Sequence, residues 1–106
     1  MPVFSISTHR ADRQVTVALA GELDLMTVGE LDNALTDVAS TKGVTDIVVD
    51  LADLSFTDSI GISALIRGRR LADQHGIHYA IVAATSVVRQ VLDVTGVWDY
   101  LSAAER

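Results

Sequence analysis

The chain has 106 residues, 49% apolar and 21% charged, which suits one globular domain around a single core and excludes a disordered chain or two domains. Fourteen acidic residues against eight basic ones give a formal net charge of −6, so nucleic-acid backbones and anionic membrane surfaces are repelled. The absence of cysteine removes disulfides, thiolate nucleophiles and cysteine-ligated metals, and it fits a cytoplasmic protein.

The N-terminal stretch Met1 to Ser7 has no basic region followed by a long apolar segment and a small-residue cleavage site, and no apolar run approaches membrane-spanning length. The expectation is a soluble, unprocessed chain. Residues Val3 to His9 alternate as a half-buried strand does, and Arg10 to Arg13 is a tight connection to a second alternating segment, Val15 to Ala20. The two predict a hairpin. Gly21-Glu-Leu-Asp24 is expected to end the second strand and open a turn.

From Thr27 the period becomes helical, with Val28, Leu31, Leu35 and Val38 on one face and Glu30, Asp32, Asn33 and Asp37 largely on the other. Thr27 and Glu30 are spaced as a capping box, Leu25 and Leu31 as a hydrophobic staple, and Lys42-Gly43 suits the C-terminal cap. The acidic side chains of this helix form a solvated face.

Asp46-Ile-Val-Val-Asp-Leu51 is β-branched and nearly continuous in apolar character, as a strand covered on both faces is. A polar turn then leads into a helix expected from about Ile60 to Gln74. One stripe of that helix, Gly61, Leu65, Gly68 and Ala72, is small enough for close packing, while Arg67, Arg69 and Arg70 sit where the dipole favours cations and are expected to be solvated. His75-Gly76 closes it. Tyr79 to Ala83 predicts another buried strand, Ser86 caps a third helix that Gly96 stops, Val97 to Leu101 adds a short edge strand, and Ser102 to Arg106 is a frayed tail. This order predicts one α/β domain over residues 1–106, with a mixed β-sheet of about four to five strands and three main helices packed against it.

Functional residues of open α/β sheets gather beyond the carboxyl ends of strands, where Thr57, Asp58 and Ser59 fall. All three can cap the following helix, and on local chemistry alone capping is the commoner role for such a serine. The same position favours added negative charge, so a phosphoryl group on Ser59 can be accommodated without refolding.

Enzymatic readings fare poorly. Thr57-Asp-Ser-Ile-Gly61 lacks the first glycine of a Gly-x-Ser-x-Gly nucleophile elbow, and such hydrolases need a larger fold. His9, His75 and His78 have no metal-ligand spacing, and no glycine-rich phosphate loop or dinucleotide fingerprint exists, so neither catalysis nor a metal or cofactor is expected. Asp24, Asp50, Asp53 and Asp58 can in principle converge as a hard-cation or phosphoaspartate site. A receiver-like phosphoaspartate protein also needs a lysine after a late strand, whereas the only lysine is Lys42, so Asp50 and Asp53 are taken as turn formers.

Three segments, Gly21-Glu-Leu-Asp24, Val48 to Ile62 and Val91-Leu-Asp-Val-Thr-Gly-Val97, occur in order along nearly the whole chain. Through them the sequence resembles the STAS domain, in particular the bacterial anti-sigma factor antagonists. The resemblance implies a cytoplasmic binding protein without activity of its own, which docks unphosphorylated on an anti-sigma factor serine kinase with a histidine-kinase-like ATPase fold and frees a sigma factor. It further implies that the kinase phosphorylates Ser59, that a phosphatase resets it, and that the partner surface comprises Asp24, Thr57, Asp58, Ser59, Ile60 and Gly61. Direct nucleic-acid and membrane contact are not implied. Ile60 departs from the small residue many members carry there, which bears on partner choice. Other STAS domains serve as stress-signalling scaffolds or as the soluble subunit of a lipid transporter, with the serine unmodified.

Overall fold

The computed structural model describes residues 3–102; of the expected tail only Ser102 lies within them, and it is buried instead of frayed. The alternating segments form β1 (Ser5–Ala11) and β2 (Gln14–Leu23), an antiparallel hairpin closed by the two-residue turn Asp12-Arg13. The hairpin is tighter than expected, and Asp12 takes the left-handed conformation (φ 61°) that short hairpin turns require. β2 does not end at Gly21. Gly21, Glu22 and Leu23 continue the ladder, and Asp24 is the first residue to leave it.

Helix α1 (Val28–Ala39) buries Leu31, Leu35 and Val38 as its period dictates. The capping box is absent, because the Thr27 hydroxyl turns back to donate to the Glu22 carbonyl (2.9 Å) and to accept the Asp24 N–H (2.9 Å). The staple fails as well: Leu25 is exposed. The C-cap is Ser40 rather than Gly43, which at φ +87° shapes the turn that follows.

Strand β3 (Asp46–Thr57) runs parallel to β2, and β4 (His78–Val82) runs parallel to β3, giving one mixed sheet in the order β1-β2-β3-β4. β3 is twice the expected length. Beyond Leu51 it carries an extra residue opposite the Ala18–Ala20 step and another opposite the Gly21–Glu22 step, so its buried positions Leu51, Leu54 and Thr57 fall three apart instead of two. Asp50 and Asp53 are therefore strand residues at a bulge, not turn formers; Asp50 Oδ1 accepts the Ala52 N–H at 2.9 Å.

Helix α2 (Ser59–Gln74) buries Gly61, Leu65, Gly68 and Ala72, the small stripe expected to pack closely. The Tyr79 hydroxyl lies over this stripe and donates to the Leu65 carbonyl at 2.8 Å, and a Cβ on Gly68 would come within 2.6 Å of it. Burial pushes the Tyr79 phenol well above its ordinary range. The basic cluster is only partly solvated: Arg67 pairs with Asp32 at 2.9 Å, and Arg69 donates to the Tyr100 carbonyl at 2.8 Å.

Helix α3 (Ser86–Val94) is capped by Thr85, whose hydroxyl accepts the Val88 N–H at 3.4 Å, and not by Ser86. Residues Val97–Leu101 form a short helix, α4, instead of an edge strand. Gly96 at φ +77° reverses the chain, and Val97 and Leu101, one turn apart, both point into the core. The sheet is rejoined only at Ser102, which bridges to Ile81.

Candidate functional site

β2 and β3 leave the sheet side by side. Their last paired residues are Leu23 and Thr57, so Asp24 follows one strand exit while Asp58 and Ser59 follow its neighbour. Asp58 is the N-cap of α2: its Oδ1 accepts the Gly61 N–H at 3.0 Å, and its carbonyl accepts the Ile62 N–H at 3.0 Å. Ser59 is consequently the first helical residue. It is exposed, and its hydroxyl bonds to no described residue. The capping task thus belongs to Asp58, leaving the serine oxygen free beside helix amides that have no intrahelical partner.

Of the six residues expected to face a partner, Asp24, Asp58, Ser59 and Ile60 reach the surface. Thr57 and Gly61 do not. Thr57 is 3% exposed, and its hydroxyl donates to the Asp58 carbonyl at 3.3 Å. A Cβ on Gly61 would collide with the Thr57 hydroxyl and lie 2.7 Å from the Leu23 carbonyl oxygen, so glycine lets the first turn of α2 press against both strand ends. Both are buried here, packed between the start of α2 and the two strand ends.

The loop between β2 and α1 is held by Asp24. Its carboxylate accepts the Met26 N–H (3.0 Å), and its carbonyl accepts those of Thr27 (3.0 Å) and Val28 (2.9 Å). Asp24, Asp50, Asp53 and Asp58 do not form a cation site: among the described residues no three His, Asp or Glu side chains gather closely enough to hold a metal.

No described cation follows either strand exit, and Arg89, on the helix that starts beside β3, is taken up by Asp93 and Trp98. Arg10, Arg13 and Lys42 are at the hairpin turn and beyond the C-terminal end of α1, Arg89 is on α3, and Arg67 begins the α2 cluster eight residues beyond Ser59, about 12 Å along the axis. The mouth of α2 is therefore rimmed by carboxylates alone on its own two strand exits. Of its apolar component the sequence reading named Ile60 and missed Leu25 and Met26. Leu25 is 67% exposed, Met26 85% and Ile60 38%. Two large apolar residues in succession between a strand and a helix were the available signal.

The family model "Mlab, STAS domain" matches residues 6–102. The anti-sigma-B factor antagonist of Staphylococcus aureus (strain NCTC 8325 / PS 47) is 29% identical over 101 residues, which span 95% of this chain and 93% of that protein. Among solved structures, the anti-sigma factor antagonist SpoIIAA in its unphosphorylated form superposes with a TM-score of 0.77 at 23% identity, covering 97% of this chain and 90% of the other. The phosphorylated form of the Bacillus cell fate determinant SpoIIAA does so with a TM-score of 0.69 at 22% identity, covering 97% and 93%. The matched span runs from within β1 through the rest of the described sheet and helices, with the strand-to-helix junction at Ser59 near its middle, and the chain belongs to the STAS domain family.

Proposed function

We propose that this protein is an anti-sigma factor antagonist whose docking on an anti-sigma factor serine kinase frees a sigma factor and is switched off by phosphorylation of Ser59. The observation that carries the reading is the division of labour at the α2 mouth: Asp58 takes the capping bond, so the exposed Ser59 hydroxyl has no structural task. The similarity to curated anti-sigma-B factor antagonists supports the same role, and a relative of this fold is known in unphosphorylated and phosphorylated forms.

The chemistry is transfer of the γ-phosphoryl group of ATP to the Ser59 oxygen, with the hydroxyl proton lost and ADP leaving. The modification adds roughly −1.5 to −2 charge and three acceptor oxygens. Helix amides accommodate that charge locally, while the adjacent Asp58 and the lack of a cation on either strand exit leave it uncompensated at the surface. A partner surface that accepted a neutral hydroxyl then meets a charged obstacle, with no change of fold required. Amide exchange protection through the core stays the same on modification under this mechanism. Widespread loss of protection would rule it out.

The deciding experiment is incubation with purified anti-sigma factor kinases of the source organism and ATP, followed by mass spectrometry of the modified residue. Ser59→Ala remains bound in ATP and takes no phosphate, and Ser59→Asp binds weakly. Phosphate on Ser59→Ala would sink the acceptor assignment, and wild type left unmodified by every kinase would favour the scaffold or lipid-transporter role.

A further inference from the structure

The loop between β2 and α1 combines two properties that oppose each other in a free monomer. Its backbone is pinned by the Asp24 carboxylate and carbonyl and by the Thr27 hydroxyl, yet the Leu25 and Met26 side chains are mostly exposed. Neither side chain supports the core. With the backbone already fixed, covering the pair costs only side-chain rotamer freedom, which is the economy of a preformed loop. Ile60, on the first turn of α2, continues the apolar surface past Ser59 on the neighbouring strand exit.

We infer that Leu25 and Met26 are the anchoring pair for the protein partner, which seats them in an apolar pocket flanked by cationic side chains. The cations follow from charge complementarity, because Glu22 and Asp24 flank the pair in sequence, Asp58 follows the neighbouring strand, and neither strand exit carries a cation. This rests on the reading of Ser59 as the switch and divides the surface in two. The β2–α1 loop supplies grip, and the α2 mouth supplies control. Phosphorylation then acts beside the anchor instead of through it, so the contact is broken by repulsion while the apolar pair remains presented for the next cycle.

The test uses the Leu25→Ser/Met26→Ser double variant, Met26→Leu and wild type, each titrated by calorimetry into every purified anti-sigma factor kinase of the source organism. Wild type is expected to bind one of them, Met26→Leu to bind within about threefold of it, and the double variant to bind at least about 30-fold more weakly. At kinase concentrations above the weakened Kd, Ser59 of the double variant still accepts phosphate. Melting curves of the variants matching wild type show that the loop bears no core load. A double variant that binds within about twofold of wild type overturns the inference and leaves the switch intact. So does self-association of wild type that the double variant abolishes, since a second copy is then the occupant. Wild type that binds no kinase overturns the reading of Ser59 and this inference with it.

Discussion

Replacing Gly61 by alanine sets two known effects against each other at the mouth of α2. Helix propensity alone favours alanine by about 1 kcal/mol. Against this, the new methyl group would overlap the Thr57 hydroxyl, sit 2.7 Å from the Leu23 carbonyl oxygen and lie 3.0 Å from Leu23 Cγ. Overpacking of this kind costs about 1–3 kcal/mol, and the upper part of that range applies because a strand carbonyl cannot rotate away as a side chain can. The net expectation is a loss of about 1–2 kcal/mol, or roughly 5–15 °C in melting temperature for a domain of this size. Gly29 in α1 is the control, since a Cβ there meets nothing within 4 Å. Gly29→Ala should leave the melting temperature unchanged or raise it by a few degrees. Thermal denaturation followed by circular dichroism at 222 nm compares them directly. Thr57→Ala added to Gly61→Ala should restore only part of the loss, because the Leu23 carbonyl remains. If Gly61→Ala melts as high as Gly29→Ala, the close approach of α2 to the strand ends is not what fixes Ser59.

Asp58→Ala should cost about 0.5–2 kcal/mol in urea denaturation through loss of the bond to the Gly61 amide, while Asp58→Asn retains most of it; equal losses would mean that charge rather than the cap matters. Tyr79 gives a pH signature. Its phenol ionises above the ordinary value of 10.0 in the folded state, so the native form holds a proton that the unfolded form releases, and stability falls as pH rises past about 10 by up to about 1.4 kcal/mol per unit. Tyr79→Phe should remove that component of the alkaline slope, and an unchanged slope would place the effect elsewhere. Ala83 holds φ 62°, a conformation disfavoured for a residue with a Cβ. Ala83→Gly should therefore stabilise the fold by about 0.5–1 kcal/mol once the extra freedom of the unfolded glycine is counted, and a lower urea midpoint would contradict this.

The helices and the first half of the sheet were legible because their apolar periods are regular. Leu31, Leu35 and Val38 keep helical spacing, and Val15, Val17 and Leu19 keep strand spacing. The second half of β3 was not legible for the same reason. Buried residues three apart, Leu51, Leu54 and Thr57, match neither a flat strand nor a full helix, and only the pairing with β2 shows two bulges within one continuous strand. Val97–Leu101 misled through composition, since valine and aromatics favour strands while burial at both ends of one helical turn decided otherwise. At the site, spacing located the Thr57–Gly61 junction but not who does what in it. Three adjacent capping residues are equivalent on paper, and geometry gives the bond to Asp58. Leu25 was assigned inward on spacing to Leu31, and its outward placement follows from Thr27 turning back to Glu22.

The two additional residues in β3 make the position of the serine a matter of counting. Each extra residue is taken up by its own bulge, so deleting Ala52 or Ser55 would turn that stretch into plain ladder and leave Leu54 and Thr57 facing the interior, with Thr57 still beside Leu23. Deleting both would leave a regular strand two residues shorter with the same residues buried. A lineage or a designer can therefore trim this strand at either bulge and keep the same hydroxyl on display, whereas losing one residue from the regular ladder between Asp46 and Leu51 moves the side chains on one side of the loss to the opposite face.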